Sequence, residues 1–123
     1  MVDETRKSIF VVDDDEFVRG ALKTLLRSAG YDVQTFESAE AFLDHAAEEG
    51  SCLLILDVRM PGLSGLELQK GLVDAGRKLP IIFITAHEDA RARKVALEEG
   101  AEAFLQKPFE DETLLDAVQR IIG

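Results

Sequence analysis

Three carboxylates, a hydroxyl and an ammonium stand at the ends of four short apolar runs: Asp13 and Asp14 after SIFVV, Asp57 after LLIL, Thr85 closing PIIFIT, and Lys107 after AFLQ. If the runs are neighbouring strands of one sheet, these groups meet. Carboxylates pressed together repel one another and raise their own pKa values unless something positive intervenes. A hard divalent cation such as Mg²⁺, which prefers oxygen ligands, answers that need. Lys107 adds a mobile positive charge and Thr85 a hydrogen-bond donor. Together they suit a phosphoryl group carried on one carboxylate, and Asp57, between the acid pair and the Thr85–Lys107 side, is best placed to carry it. Taken singly, each residue has a plainer reading: a turn or helix cap for the acids, a strand residue for Thr85, a solvated charge for Lys107. Their joint appearance at strand ends favours the site.

The elements that must position these groups alternate along the chain. Residues 8–13 read as a first strand, and apolar positions Phe17, Val18, Ala21, Leu22, Leu25, Leu26 and Ala29 as a helical stripe closed by Gly30. Asp15 is assigned to capping that helix. Residues 31–36 form a short second strand, and Ser38 is the N-cap of a helix through about Glu48, with Gly50 after it and His45 on its surface. After the strand ending at Asp57, Ser64 and Glu67 are spaced as a capping box for a helix to about Asp74. Residues 80–85 are a fourth strand. A helix follows from near Glu88 and Asp89 to just before Gly100, then a strand over 103–106 and a helix over 111–122.

Five strand-then-helix repeats call for an α/β doubly wound fold, a parallel sheet with helices on both faces and right-handed crossovers. Ligands of such sheets bind beyond the carboxyl ends of the strands. The fourth helix offers mostly small apolar residues (Ala90, Ala92, Val95, Ala96, Leu97) where the first offers Phe, Leu and Val, so it should be the less firmly anchored.

At 123 residues the chain is one domain, with 46% hydrophobic and 31% charged residues. Residues 1–7 read as a flexible tail. No apolar run approaches the roughly 20 residues that span a bilayer, and MVDETRKS lacks the apolar stretch of a signal peptide, so the expected location is the cytoplasm. Fourteen basic against 24 acidic residues give a net charge of −10, which argues against direct nucleic-acid binding by this chain. The single cysteine, Cys52, reads as a small core residue and allows no intrachain disulfide.

The motifs VVDDDE at 11–16, LDVRMPGLSG at 56–65, ITAH at 84–87 and KPF at 107–109 resemble the receiver domain of bacterial two-component response regulators, most closely those of the FixJ type. The resemblance covers essentially the whole chain. It implies a flavodoxin-like (βα)5 fold with strand order 2-1-3-4-5, and a phosphorylation-activated switch rather than an enzyme acting on other molecules. Asp57 would accept the phosphoryl group from a sensor histidine kinase or phosphotransfer protein. Asp13 and Asp14 would hold Mg²⁺, or Mn²⁺ in its place, together with Asp57 and the backbone carbonyl of Arg59. Thr85, the backbone N–H of Ala86 and the Lys107 ammonium would hold phosphoryl oxygens, and the Lys107–Pro108 bond would be cis. Phe104 matches an aromatic switch position, though it reads equally as a core aromatic. Arg59 and His87 flank the site and are expected to tune phosphate lifetime. The implied output is a change in the face formed by the fourth helix, fifth strand and fifth helix, read by an output domain, a target protein or a second copy in a phosphorylation-dependent homodimer. The chain fits either a stand-alone receiver or the front part of a longer regulator with a DNA-binding output domain.

Three other functions compete. A metal-dependent phosphohydrolase with an aspartate nucleophile fits Asp13-x-Asp15 formally, but Glu16 and Phe17 do not suit that motif and 123 residues leave no room for a substrate-capping domain. A receiver-like scaffold that ignores phosphate is disfavoured by the complete set of site residues. A nucleotide binder lacks the Gly-rich loop after the first strand.

Overall fold

The computed structural model describes residues 7–45 and 52–123. Five strands alternate with five helices: β1 Ser8–Val12, α1 Glu16–Ser28, β2 Asp32–Phe36, α2 Ala39–Leu43, β3 Cys52–Asp57, α3 Gly65–Asp74, β4 Ile81–Thr85, α4 Ala90–Glu98, β5 Ala103–Gln106 and α5 Asp111–Ile122. The sheet is parallel throughout in the order β2-β1-β3-β4-β5. Strand order reverses between β1 and β3, where such sheets open a crevice at their carboxyl ends.

The central strands are apolar without alternation because both their faces are covered. Ile9, Val11, Leu53, Ile55, Ile82 and Ile84 pack on one side against Leu22 and Leu26 of α1 and Leu114, Ala117 and Val118 of α5. Phe10, Val12, Leu54, Leu56 and Phe83 pack on the other side against Phe42 of α2, Leu68 and Leu72 of α3, and Ala92 and Ala96 of α4. Successive residues of each strand thus serve different cores.

Local chemistry fixes the helix ends. Asp15, Ser38, Ser64 and Asp89 each accept a backbone N–H as N-cap, and Ser64 and Glu67 form the reciprocal capping box. Gly30 turns α1 into β2 with φ of 99°, a conformation glycine adopts without penalty.

Three expectations need correction. Phe17 is 81% exposed rather than part of the buried stripe of α1. Positions 17, 21, 24 and 28 form one face of a 3.6-residue helix, and the core takes the neighbouring face centred on Leu22 and Leu26. The α-helical run of α2 ends at Leu43, and the His45 N–H bonds the Phe42 carbonyl three residues back, a tighter 3₁₀-type turn. Its expected end near Glu48, and Gly50, lie outside the described residues, as do the tail over 1–6 and the Cys52 side chain. His45 is half-buried, with its ring 5.6 Å from that of Phe10 and 5.3 Å from that of Phe36. An aromatic cluster, rather than solvent, receives it.

The buried face of α4 is as small as its composition implies. Its buried residues are two alanines, whereas α1 buries two leucines. Gln69 of α3 adds one buried tie, donating from Nε2 to the Ala96 carbonyl at 2.9 Å.

Candidate functional site

Sheet register brings the strand ends level. Val12 stands beside Leu56, and Asp57 beside Ile84, so Asp13 and Asp57 leave the sheet at the same height. Thr85 pairs with Gln106 one residue further along, and Lys107 follows. Lys107 therefore stands two residues past the level of the acids, about 6.6 Å at roughly 3.3 Å per residue, a distance that its long side chain spans in returning to them.

Asp13 is fully buried and every polar group on it is engaged. Its backbone N–H donates to the Phe36 carbonyl at 3.1 Å, and its own carbonyl accepts from Arg19 of α1 at 2.8 Å. Oδ1 accepts the Asp15 N–H at 2.9 Å, and Oδ2 accepts from Lys107 Nζ at 2.9 Å. Asp57 is also buried, but its Oδ1 lies 3.9 Å from Lys107 Nζ, beyond a hydrogen bond. Burial pushes the Asp57 carboxyl up to about 7, repulsion from Asp13 and then Asp14 adds to this, and Lys107 and the Arg59 backbone N–H pull the other way. Among the described residues, carboxylate oxygens of Asp13, Asp14 and Asp57 lie within 4.8 Å of one another. An all-oxygen donor set of this kind fits a hard divalent cation such as Mg²⁺.

A cavity of about 240 Å³ is lined by these three acids, Asp15, Arg59, Thr85, Ala86, His87 and Lys107. The structure therefore brings together every residue singled out for catalysis, phosphate contact or metal binding. Thr85 is buried, and its hydroxyl accepts the His87 N–H and donates to the His87 carbonyl, both at 3.2 Å. The hydroxyl is tied to its own loop rather than to Asp57. Phe104 lies outside the acid cavity. It is half-buried, 6.1 Å from the Phe83 ring, and borders a neighbouring cavity of about 350 Å³ that Thr85, His87 and Asp89 also line. The Lys107–Pro108 peptide is cis, as expected.

The Arg59 side chain, expected to tune phosphate lifetime, borders the acid cavity and also reaches the start of α4. Its guanidinium pairs with Asp89 Oδ2 at 2.9 Å. Asp15 caps α1 as assigned, its Oδ1 accepting the Phe17 N–H at 2.9 Å.

Several supporting residues escaped the reading of the sequence. Arg19 holds the acid loop from one turn into α1. Glu40 of α2 accepts the Leu63 N–H at 3.1 Å, fixing the loop after Asp57 from 23 residues away. Gly65 lets α3 start against the sheet: a Cβ there would lie 2.2 Å from the Asp57 carbonyl oxygen. Only Gly65 left a readable signal, as a glycine directly after the N-cap serine.

A family model described as the response regulator receiver domain matches residues 9–119. The transcriptional regulatory protein TdiR of Thauera aromatica is 50% identical over 116 residues, 94% of this chain and 51% of TdiR. The transcriptional regulatory protein FixJ of Rhizobium meliloti (strain 1021) is 40% identical over 116 residues, 94% of this chain and 57% of FixJ. The crystal structure of FixJ-N superposes with a TM-score of 0.86 at 39% identity, covering 98% of this chain and 94% of that one. The chain spans about half the length of the curated relatives it matches.

Proposed function

The chain belongs to the response regulator receiver family, of FixJ type, and from that premise we propose that Asp57 is the phosphoacceptor of its two-component switch. The observation that carries the choice is the contrast among the three acids. Both oxygens of Asp13 are engaged, Asp14 is exposed, and Asp57 is buried at the cavity wall without a close ammonium.

The donor is a sensor histidine kinase or phosphotransfer protein. An oxygen of the Asp57 carboxylate attacks the phosphorus of its phosphohistidine, the P–N bond breaks, and the imidazole leaves with the electron pair and takes up a proton. The carboxylate is the reactive form, so positive charge that draws Asp57 below about 7 favours attack. Asp13, Asp14, Asp57 and the Arg59 carbonyl would hold Mg²⁺, with Mn²⁺ a substitute. The cation supplies charge stabilisation for the phosphoryl oxygens. Lys107 turns from Asp13 to a phosphoryl oxygen, and the Ala86 N–H receives another. Thr85 exchanges its two bonds to His87 for one to the phosphoryl group. Phe104 then moves into the space beside Thr85.

The output is a changed face of α4, β5 and α5, read by an output domain, a target protein or a second copy of the chain. The bias required is modest: a shift from 1:99 to 99:1 takes about 5.5 kcal/mol of differential stabilisation. Arg59 and His87, both at the cavity, set the lifetime of the phosphate through access of water. The chain assists its own phosphorylation and dephosphorylation and does not turn over other substrates. The proposed place of action is the cytoplasm, where two-component receivers work, without direct nucleic-acid contact. No helix of the described residues is long and apolar enough to cross a membrane.

The test is incubation with a small phosphodonor such as acetyl phosphate, with and without Mg²⁺, followed by intact mass. One phosphoryl group is expected, dependent on Mg²⁺ and absent from Asp57→Ala. A Mg²⁺-dependent adduct that persists in that variant overturns the assignment.

A further inference from the structure

Asp89 is shared between two structures that the switch must connect. Its Oδ1 accepts the Ala92 N–H at 3.0 Å and so caps α4, while its backbone carbonyl accepts the Arg93 N–H at 3.0 Å. Its Oδ2 holds the Arg59 guanidinium at 2.9 Å. Arg59 is two residues from Asp57 and lines the same cavity, and its backbone N–H is directed at the Asp57 carboxylate. A chain of contacts therefore runs from the Asp57 carboxylate through Arg59 and Asp89 to the first turn of α4. It is separate from the route through Thr85 and Phe104.

We infer that the Arg59–Asp89 ion pair is a strap that positions the start of α4 and is released when Asp57 carries a phosphoryl group. The loop over 86–89 is held at two points, by the Thr85 hydroxyl on His87 and by Arg59 on Asp89. Both holding side chains border the acid cavity. A phosphoryl group brings a charge of about −1.5 to −2 and several acceptor oxygens, and the planar guanidinium fork matches them better than it matches one carboxylate oxygen. Arg59 leaves Asp89 for the phosphoryl oxygens as Thr85 leaves His87. Both restraints on the loop are then lost together. Helix α4 is the element for which so small a restraint matters, because its own buried face is two alanines and a single bond from Gln69.

The strap rests on the reading of Asp57 as phosphoacceptor, and the experiment separates the two. Asp89→Asn keeps the N-cap acceptor and loses the ion pair; Arg59→Gln loses it from the other side. Residue-resolved amide exchange in α4 is measured for the unaltered chain, both variants and the double variant, with and without acetyl phosphate and Mg²⁺, with intact mass on the same samples. Without phosphodonor, each single variant is expected to exchange faster in α4 by about two- to five-fold, the size of an exposed ion pair. The double variant should exchange no faster than either, and added salt should bring the unaltered chain toward them. Single effects that add in the double variant, or no effect at all, overturn the strap. In the phosphorylated chain the variants should no longer differ from the unaltered protein, and a difference that persists there overturns the release. If the unaltered chain takes up no phosphoryl mass, the phosphoacceptor reading and the release step both fail, and the unphosphorylated comparison still decides the strap.

Discussion

Replacing Asp57 by Asn should stabilise the fold at neutral pH, by an amount that depends on pH in a defined way. The folded carboxyl holds its proton up to about 7, whereas the unfolded one releases it near 3.8. Between those values the folded state binds more protons, so stability declines as pH climbs through the window and levels off above it. Three pKa units correspond to about 4 kcal/mol if the site were sealed. The cavity opens to solvent beside the exposed Asp14, and screening there reduces the expected effect to about 1–2 kcal/mol. Asn keeps the size and one acceptor oxygen without the charge. In urea titrations without divalent cations, Asp57→Asn should match the unaltered chain near pH 4 and exceed it above pH 7, by about 0.5–1 M in midpoint. Saturating Mg²⁺ should close much of the gap by stabilising the unaltered chain, about 2.7 kcal/mol at a hundred times the dissociation constant. Parallel stability curves for the two proteins from pH 4 to 8 would refute the view that buried charge at Asp57 is held at a cost.

Other perturbations probe the supporting structure. Gly65→Ala should cost about 2 kcal/mol or more in thermal or urea unfolding, because the new Cβ meets the Asp57 carbonyl, a backbone atom that cannot yield; wild-type stability would show that α3 can shift freely. Gln69→Leu should leave stability within about 1 kcal/mol of the original or raise it, since Gln69 Oε1 is buried with no partner among the described residues and the Ala96 carbonyl keeps the Ala101 N–H; a larger loss would mean that the amide is a principal anchor of α4. Amide exchange should be faster in α4 than in α1, given two buried alanines against two leucines, and equal protection would contradict that ordering.

Much of this was legible in the sequence because the signals were local. Apolar runs over 53–56 and 81–84 ended in Asp57 and Thr85, and a strand-helix repeat left one economical way to bring those ends together. The Ser64–Glu67 capping box and the cap at Asp15 were likewise contained within one helical turn. Harder to read was anything that depends on which of two adjacent faces a helix buries. Phe17 looks like core by composition, yet the stripe through Leu22 and Leu26 leaves it outside. Contacts between distant side chains left no pattern: Glu40 reaching Leu63, Arg59 reaching Asp89, and His45 turning into the Phe10–Phe36 cluster each require the folded backbone first. The site was therefore readable as a set of chemical types at strand ends, and its second layer of support was not.

The acyl phosphate proposed on Asp57 can be trapped chemically. Borohydride reduction of the chain after treatment with acetyl phosphate and Mg²⁺ converts an aspartyl phosphate into homoserine, and peptide mapping then locates it. Homoserine is expected at position 57, dependent on Mg²⁺, with Asp13 and Asp14 unchanged; reduction at either of those acids, or at none, would contradict the phosphoacceptor assignment.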